Sequence, residues 1–232
     1  KVVGENPFQI TPRGSATAGG PIWIHDFALS LFGGQAIDID TVRDGVHDAF
    51  ARVWSGDMES DGFNKLVPLS GLMWREVVIL RAYAKFLRQA AFPFSQSYVE
   101  SAFTSNPNIG RMLIDLFMAR FDPARHKRKK AALAAKDEAK LHKKIVAALD
   151  DVSSADEDRI LRRYLNLIKS TLRTNFFQTT EDDQPHAYLS LKLNSKTIDE
   201  LPRPSPWKEI FVYSPRVEAV HLRGGAVARG GL

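Results

Sequence analysis

Residues 69–89 read LSGLMWREVVILRAYAKFLRQ. Wound into a helix, this stretch is apolar around most of its circumference. Such a helix must be enclosed on nearly every side, which requires a block of elements packed around it. Arg81, Lys85 and Arg88 share one stripe and are expected to form its wet face.

The sequence supplies candidates for that block. IDTVRDGVHDAFARVW carries Val42, Val46, Ala49, Phe50 and Val53 at helical spacing, and so predicts an amphipathic helix. SQSYVESAFTS opens on Ser95, a residue type that caps helix N-termini by accepting a backbone N–H. IGRMLIDLFMARF carries a stripe of Met112, Leu113, Leu116 and Phe117. In DPARHKRKKAALAAKDEAKLHKKIVAALDD, Asp122 is expected as a cap and Pro123 in the first turn, where its missing N–H is not needed. Leu133, Leu141, Ile145 and Leu149 form a thin seam along that helix. Ser154 and Glu157 have capping-box spacing. They open a helix expected to run through Ile160, Leu161, Tyr164, Leu165, Ile168 and Leu172. The last two helices are expected to pack as an antiparallel pair, joined near residues 150–153.

Both ends of the chain read differently. NPFQITP and PIWIHDFALSLF are rich in β-branched and aromatic residues, with a glycine-rich connection between them, and read as strands. Near the other end, HAYLSLKL alternates through Ala187, Leu189, Leu191 and Leu193. LPRPSP is a proline-rich connection, and WKEIFVYS and RVEAVHLR read as further strands. The expected fold class is therefore α+β and mainly helical, a multi-helix block flanked by an N-terminal α/β remnant and a C-terminal β segment.

Composition narrows the chemistry. The chain has no cysteine, which excludes disulfides and thiolate sites, and its six histidines show no metal-ligand spacing. No apolar run approaches a membrane span. These features fit a cytoplasmic protein. The net charge is +5, and residues 124–146 alone hold nine Lys/Arg against two acids. The basic run RHKRKK at 125–130 could neutralise phosphates, but no aromatic residues are interleaved to stack bases. The run reads as a solvated helix end rather than a nucleic-acid site. The two Arg-Gly-Gly tripeptides near the C-terminus sit among apolar residues, unlike the repeated low-complexity boxes that bind RNA. No dinucleotide loop GxGxxG, phosphate loop or GxSxG elbow is present.

The stretches IWIHDFALS, DGFNKLVPLSGLMWREVVILRAYAKFLRQ, LRTNFFQ and PWKEIFVYSPRVEAVHLRGGAVARGGL together resemble the large bacterial class of NAD-specific glutamate dehydrogenase. They occur in the family's order, from about residue 22 onward. The resemblance implies an internal fragment of a longer polypeptide, ending just before a catalytic lysine. Residues 1–65 would be the end of an ACT-like α/β regulatory module, 66–180 a helical linker block, and 181–232 the opening strands of the catalytic domain. The implied chemistry of the parent is oxidation of L-glutamate to 2-oxoglutarate and ammonia, with NAD bound by the parent outside this chain. The parent is expected to be a homo-oligomer without a membrane segment. The chain itself is expected to be non-catalytic and structural or regulatory, with no catalytic, cofactor or metal residues. The alternatives are a nucleic-acid-binding helical protein and a free-standing helical adaptor.

Smaller glutamate dehydrogenases carry a Lys-Gly-Gly-Ile/Leu-Arg motif whose lysine binds a substrate carboxylate. Arg229, Gly230 and Gly231 resemble its opening and are the expected substrate-binding residues, with arginine in the place of lysine. Two positions depart from the family pattern: glycine is expected where Ala219 stands, and often lysine where Ala226 stands.

Overall fold

A computed structural model describes residues 2–11, 20–30, 38–125 and 131–227. The chain divides into two compact units, Lys1–Ile39 and Asp40–Leu232.

The first unit is an antiparallel pair, β1 (Val2–Ile10) and β2 (Ile22–Leu29), with Ile10 opposite Ile22 and a register irregularity between Val2 and Gly4. The strands form where β-branched and aromatic residues cluster. Two strands offer each other no covering layer, and Phe8, Trp23, Ile24 and Phe27 are all about half exposed.

The second unit opens with α1 (Ile39–Ser55), a 3-10 turn at Gly62–Lys65, and α2 (Leu66–Ser70). Helices α3 (Trp74–Gln89), α4 (Gln96–Ser105), α5 (Pro107–Phe121), α6 (Ala131–Asp150) and α7 (Ala155–Ser170) follow. The chain then enters an antiparallel sheet of β3 (Thr171–Thr174), β4 (Leu189–Leu193), β5 (Lys208–Ser214) and β6 (Val217–Arg223), in that spatial order. The fold is α+β and mainly helical.

Helix α3 lies at the centre. It touches α2, α4, α5 and α7 on the helical side and β4 and β5 on the sheet side. This explains its all-round apolar sequence: Val77, Ile79, Leu80, Ala82, Tyr83, Phe86 and Leu87 are all buried. Leu189, Leu191 and Leu193 of β4 and Phe211 and Tyr213 of β5 are buried with it, and the Phe86 and Phe211 rings meet edge to face at 5.7 Å. Each such side chain contributes roughly 1.5–3 kcal/mol by leaving water. Two hydroxyls reach across the same core. Tyr164 donates to the Leu80 carbonyl at 3.1 Å. The Thr171 hydroxyl donates to the Leu167 carbonyl, so the Tyr83 hydroxyl, 2.7 Å away, is left to donate to Thr171.

The caps follow the sequence closely. The Ser95 and Ser154 hydroxyls accept from the N–H groups of Tyr98 and Glu157. Glu157 does not complete a reciprocal box; its carboxylate accepts from Asn106 Nδ2 at 2.8 Å, tying α7 to the start of α5. Gly71 closes α2 with φ +62, the left-handed conformation that glycine adopts without strain.

Several expectations are corrected. The stripe Arg81–Lys85–Arg88 is not uniformly wet: Arg81 is fully buried and Lys85 nearly so. Phe50 lies on the flank of the α1 stripe, is 64% exposed, and stacks on Trp54 in solvent. Asp122 ends α5, and residues 123–125 form a turn in which the Asp122 carboxylate accepts from the Ala124 N–H, so Pro123 does not begin a helix. The seam of α6 holds only in its second half, since Ile145 and Leu149 are buried while Leu133 is 63% exposed. Helix α6 rests more on α5 than on α7. Helix α7 stops at Ser170, and Leu172 belongs to β3, a strand earned by pairing with β4. Ala187 is exposed ahead of β4. Residues 126–130 of the basic run lie outside the described residues.

Candidate functional site

Arg229, Gly230 and Gly231 lie outside the described residues. The chain reaches them through β6, the edge strand of the sheet. Its last residue, Arg223, accepts the Trp207 N–H on its carbonyl at 2.7 Å and donates through Nη2 to the Ala226 carbonyl at 3.3 Å. These bonds fix the take-off of the Gly224–Gly225 segment from the sheet.

The most developed polar constellation among the described residues lies elsewhere, where α3 meets the loop at 57–61 and the β5–β6 hairpin. Arg81 and Lys85 are one turn apart on α3 and point to the same side. The Asp61 carboxylate takes two bonds from Arg81, 2.6 Å from Nε and 2.8 Å from Nη2, and also accepts the Phe63 N–H. Arg81 Nη2 reaches Asn64 Oδ1 at 2.6 Å. Glu59 accepts from Lys85 on one oxygen and from the Tyr213 hydroxyl on the other, both at 2.9 Å. Glu218 accepts from Arg88 at 2.9 Å and Gln89 at 3.1 Å, with the Lys85 ammonium 3.7 Å away.

Burial opposes the Arg81 charge, but the hydrogen bonds and charge of Asp61 outweigh it, and the pKa of Arg81 rises. Burial, reinforced by Glu59, pushes the Tyr213 phenol well above its usual value even though Arg81 pulls the other way. Tyr213 is thus a fixed donor to Glu59. Arg81 Nη1 is buried and makes no hydrogen bond in the structure. Every carboxylate in the cluster is engaged by a cation or donor, so no free base stands beside a nucleophile. The arrangement can hold β5 and β6 against α3.

A second tie joins α7 to the loop after β4. Arg163 donates to the Asp199 carbonyl and, at 2.6 Å, to Glu200, which also accepts from Arg159 at 2.9 Å. The carboxyl pKa of Glu200 falls, first through the Arg159 hydrogen bond. Among the described residues no group of His, Asp and Glu could hold a metal, and no helix is long and apolar enough to cross a membrane.

Sequence reasoning missed Glu59, Asp61, Tyr213 and Glu218 as a set. The available signal was three cations on one stripe of a largely apolar helix, following the acidic stretch DMESD at 57–61. Cations on a helix that must be buried require acids brought to them.

Comparison with known proteins places these parts in sequence families. Residues 1–42 match the glutamate dehydrogenase ACT3 domain, 58–123 match glutamate dehydrogenase helical motif 3, and 144–232 match the bacterial NAD-glutamate dehydrogenase catalytic domain. Over its whole length the chain is 49% identical to the NAD-specific glutamate dehydrogenase of Pseudomonas aeruginosa, 44% to that of Mycobacterium tuberculosis and 42% to that of Halomonas elongata. It spans 14% of the length of each of these relatives.

Proposed function

We propose, from the premise that this chain belongs to the bacterial NAD-glutamate dehydrogenase family as a segment of that large protein, that it is a non-catalytic joint coupling the helical motif to the opening strands of the catalytic domain. The observation that carries this reading is the charged junction. Glu59, Asp61, Arg81, Lys85 and Arg88 lie in the region matching helical motif 3, while Tyr213 and Glu218 lie in the region matching the catalytic domain. The two regions also share one apolar core, through contacts such as Phe86 on Phe211. Displacement of α3 would therefore be felt at β5 and β6, and along β6 at the Arg-Gly-Gly segment.

In this reading the whole protein oxidises L-glutamate with NAD to 2-oxoglutarate, ammonia and NADH, works in the cytoplasm and assembles as a homo-oligomer. NAD, when bound, accepts the hydride. The described strands do not fit that cofactor: every pairing in both sheets is antiparallel, whereas a dinucleotide-binding fold is built on a parallel sheet. Cofactor binding is therefore assigned to residues outside this chain. Arg229, with Gly230 and Gly231 allowing close approach, is assigned to a substrate carboxylate.

Two measurements test the reading. The purified chain mixed with L-glutamate and NAD is expected to produce no NADH; glutamate-dependent NADH formation would overturn the non-catalytic assignment. In the full-length enzyme, a Glu218→Gln, Tyr213→Phe double substitution is expected to lower kcat/KM for glutamate with little change in NAD affinity. Unchanged kinetics and unchanged stability together would remove the coupling role. Arg229→Ala is expected to raise KM for glutamate far more than it changes NAD affinity.

A further inference from the structure

A second feature, on the far side of the sheet end from Arg223, is a cleft of about 650 Å³ bounded by the C-terminal end of α1, the first turns of α3, the segment before β4 and the β5–β6 turn. This volume lies in the range of small-molecule sites. Its walls include the rings of Trp74, Phe176 and Tyr188. Three arginines, Arg52, Arg75 and Arg216, line it against a single acid, Asp57.

The state of those arginines gives the cleft its character. Arg75 is partly buried and stacked over the Phe176 ring, 4.6 Å from its centroid; Nη2 donates to the Phe176 carbonyl at 3.0 Å. Among the described residues no carboxylate pairs with it, and burial without a counter-charge lowers its pKa. Arg52 sits over the Trp74 ring at 4.9 Å, and its contacts to Asp48 and Asp57 are long, at 3.4 and 3.5 Å. Arg216 stands exposed at the β5–β6 turn and makes no ion pair among the described residues. A guanidinium seated over an aromatic ring is held in place while its remaining N–H groups stay available, an arrangement that suits a carboxylate or phosphate. The contrast with the charged junction is direct: there each cation has its acid, whereas here Arg75 and Arg216 have none among the described residues and the aromatic walls are in place.

We propose that this cleft binds a small organic anion, with a carboxylate or phosphate head taken by Arg75 and Arg216 and a flat body lying along the aromatic walls. The ligand supplies the counter-charge that the protein withholds from Arg75.

The test is isothermal titration of the purified chain with phenyl phosphate and benzoate as anionic probes and phenol as the neutral control. Saturable binding of either anion, weakening as salt is raised and absent for phenol, is expected. Preference for phenyl phosphate assigns a phosphate head, and preference for benzoate a carboxylate head. Arg75→Gln and Arg216→Gln are each expected to weaken binding about tenfold, the loss of one charge-assisted contact. Arg43→Gln, on the exposed face of α1, should leave it unchanged. Should Arg75→Gln fail to fold, the exposed Arg216→Gln decides alone. No saturable binding of either anion, equal binding of phenol, or affinity indifferent to Arg216→Gln would each overturn the proposal.

Discussion

Helix α3 and the hairpin β1–β2 are both dense in large apolar residues, yet they meet opposite ends. In α3 nearly every such side chain is buried, and two cations are buried with them; in the hairpin each large apolar side chain, from Val2 to Leu29, remains 43% exposed or more. The difference is not one of propensity, since each segment adopts the secondary structure its residues favour. It lies in the number of neighbours. Helix α3 has helices on one side and a sheet on the other, whereas the hairpin's sheet holds two strands only among the described residues. Apolar sequence sets the demand for burial, and only a covering layer meets it.

Breaking the junction should sharpen this contrast most. Asp61→Ala strands the buried Arg81 charge and is expected to cost the Asp40–Leu232 unit about 3–5 kcal/mol, measured by urea unfolding. Replacing both partners with apolar residues, Asp61→Leu with Arg81→Met, should recover most of that loss; failure to recover would mean that Asn64 and the Glu59 carbonyl carry more of the network than Asp61 does. Within the core, Phe86→Ala removes the ring facing Phe211 and should cost about 3–5 kcal/mol. On α6, Leu149→Ala should cost about 2–5 kcal/mol, while Leu133→Ala, at an exposed position, should stay within about 0.5 kcal/mol. A similar cost for both leucines would show that the first half of α6 is covered in solution.

Alkaline pH probes the same core through its phenols. Tyr83 and Tyr213 have pKa values raised above the usual 10 in the folded chain, chiefly by burial. Above pH 10 the unfolded chain releases these protons and the folded chain keeps them. The folded state then binds more protons, and stability must fall as pH rises. Removing one phenol with Tyr213→Phe should flatten the fall, as followed by thermal melts from pH 9 to 11. The smallest effect belongs to the hairpin. Phe27→Ser should move the main unfolding transition by less than about 0.5 kcal/mol, and hairpin amides should exchange with solvent far faster than those of α3.

Local rules read much of this molecule. The caps at Ser95 and Ser154, the helix at 74–89, the second half of the strand at 2–10 and the strands at 22–29, 208–214 and 217–223 depend on spacing and on neighbours within a few residues, which a single sequence displays. The reading failed where the decisive partner was remote. The end of α7 and the start of β3 depend on β4. The shared stripe of Arg81 and Lys85 was legible, but its burial was not, because Asp61, Glu59 and Tyr213 arrive from 20, 26 and 128 residues away. The sequence-derived candidates Arg229, Gly230 and Gly231 lie outside the described residues, so the constellation seen in the structure is a different one.

By itself, the sequence determined most element types, the mainly helical α+β composition and the need to enclose residues 69–89, since each follows from periodicity and backbone preference. Only the tertiary structure decided which charges would be buried, which apolar faces would stay open, and where cations would lack acids. Those outcomes depend on distances between residues far apart in the chain, and Coulomb and solvation energies are set by such distances rather than by order along the sequence.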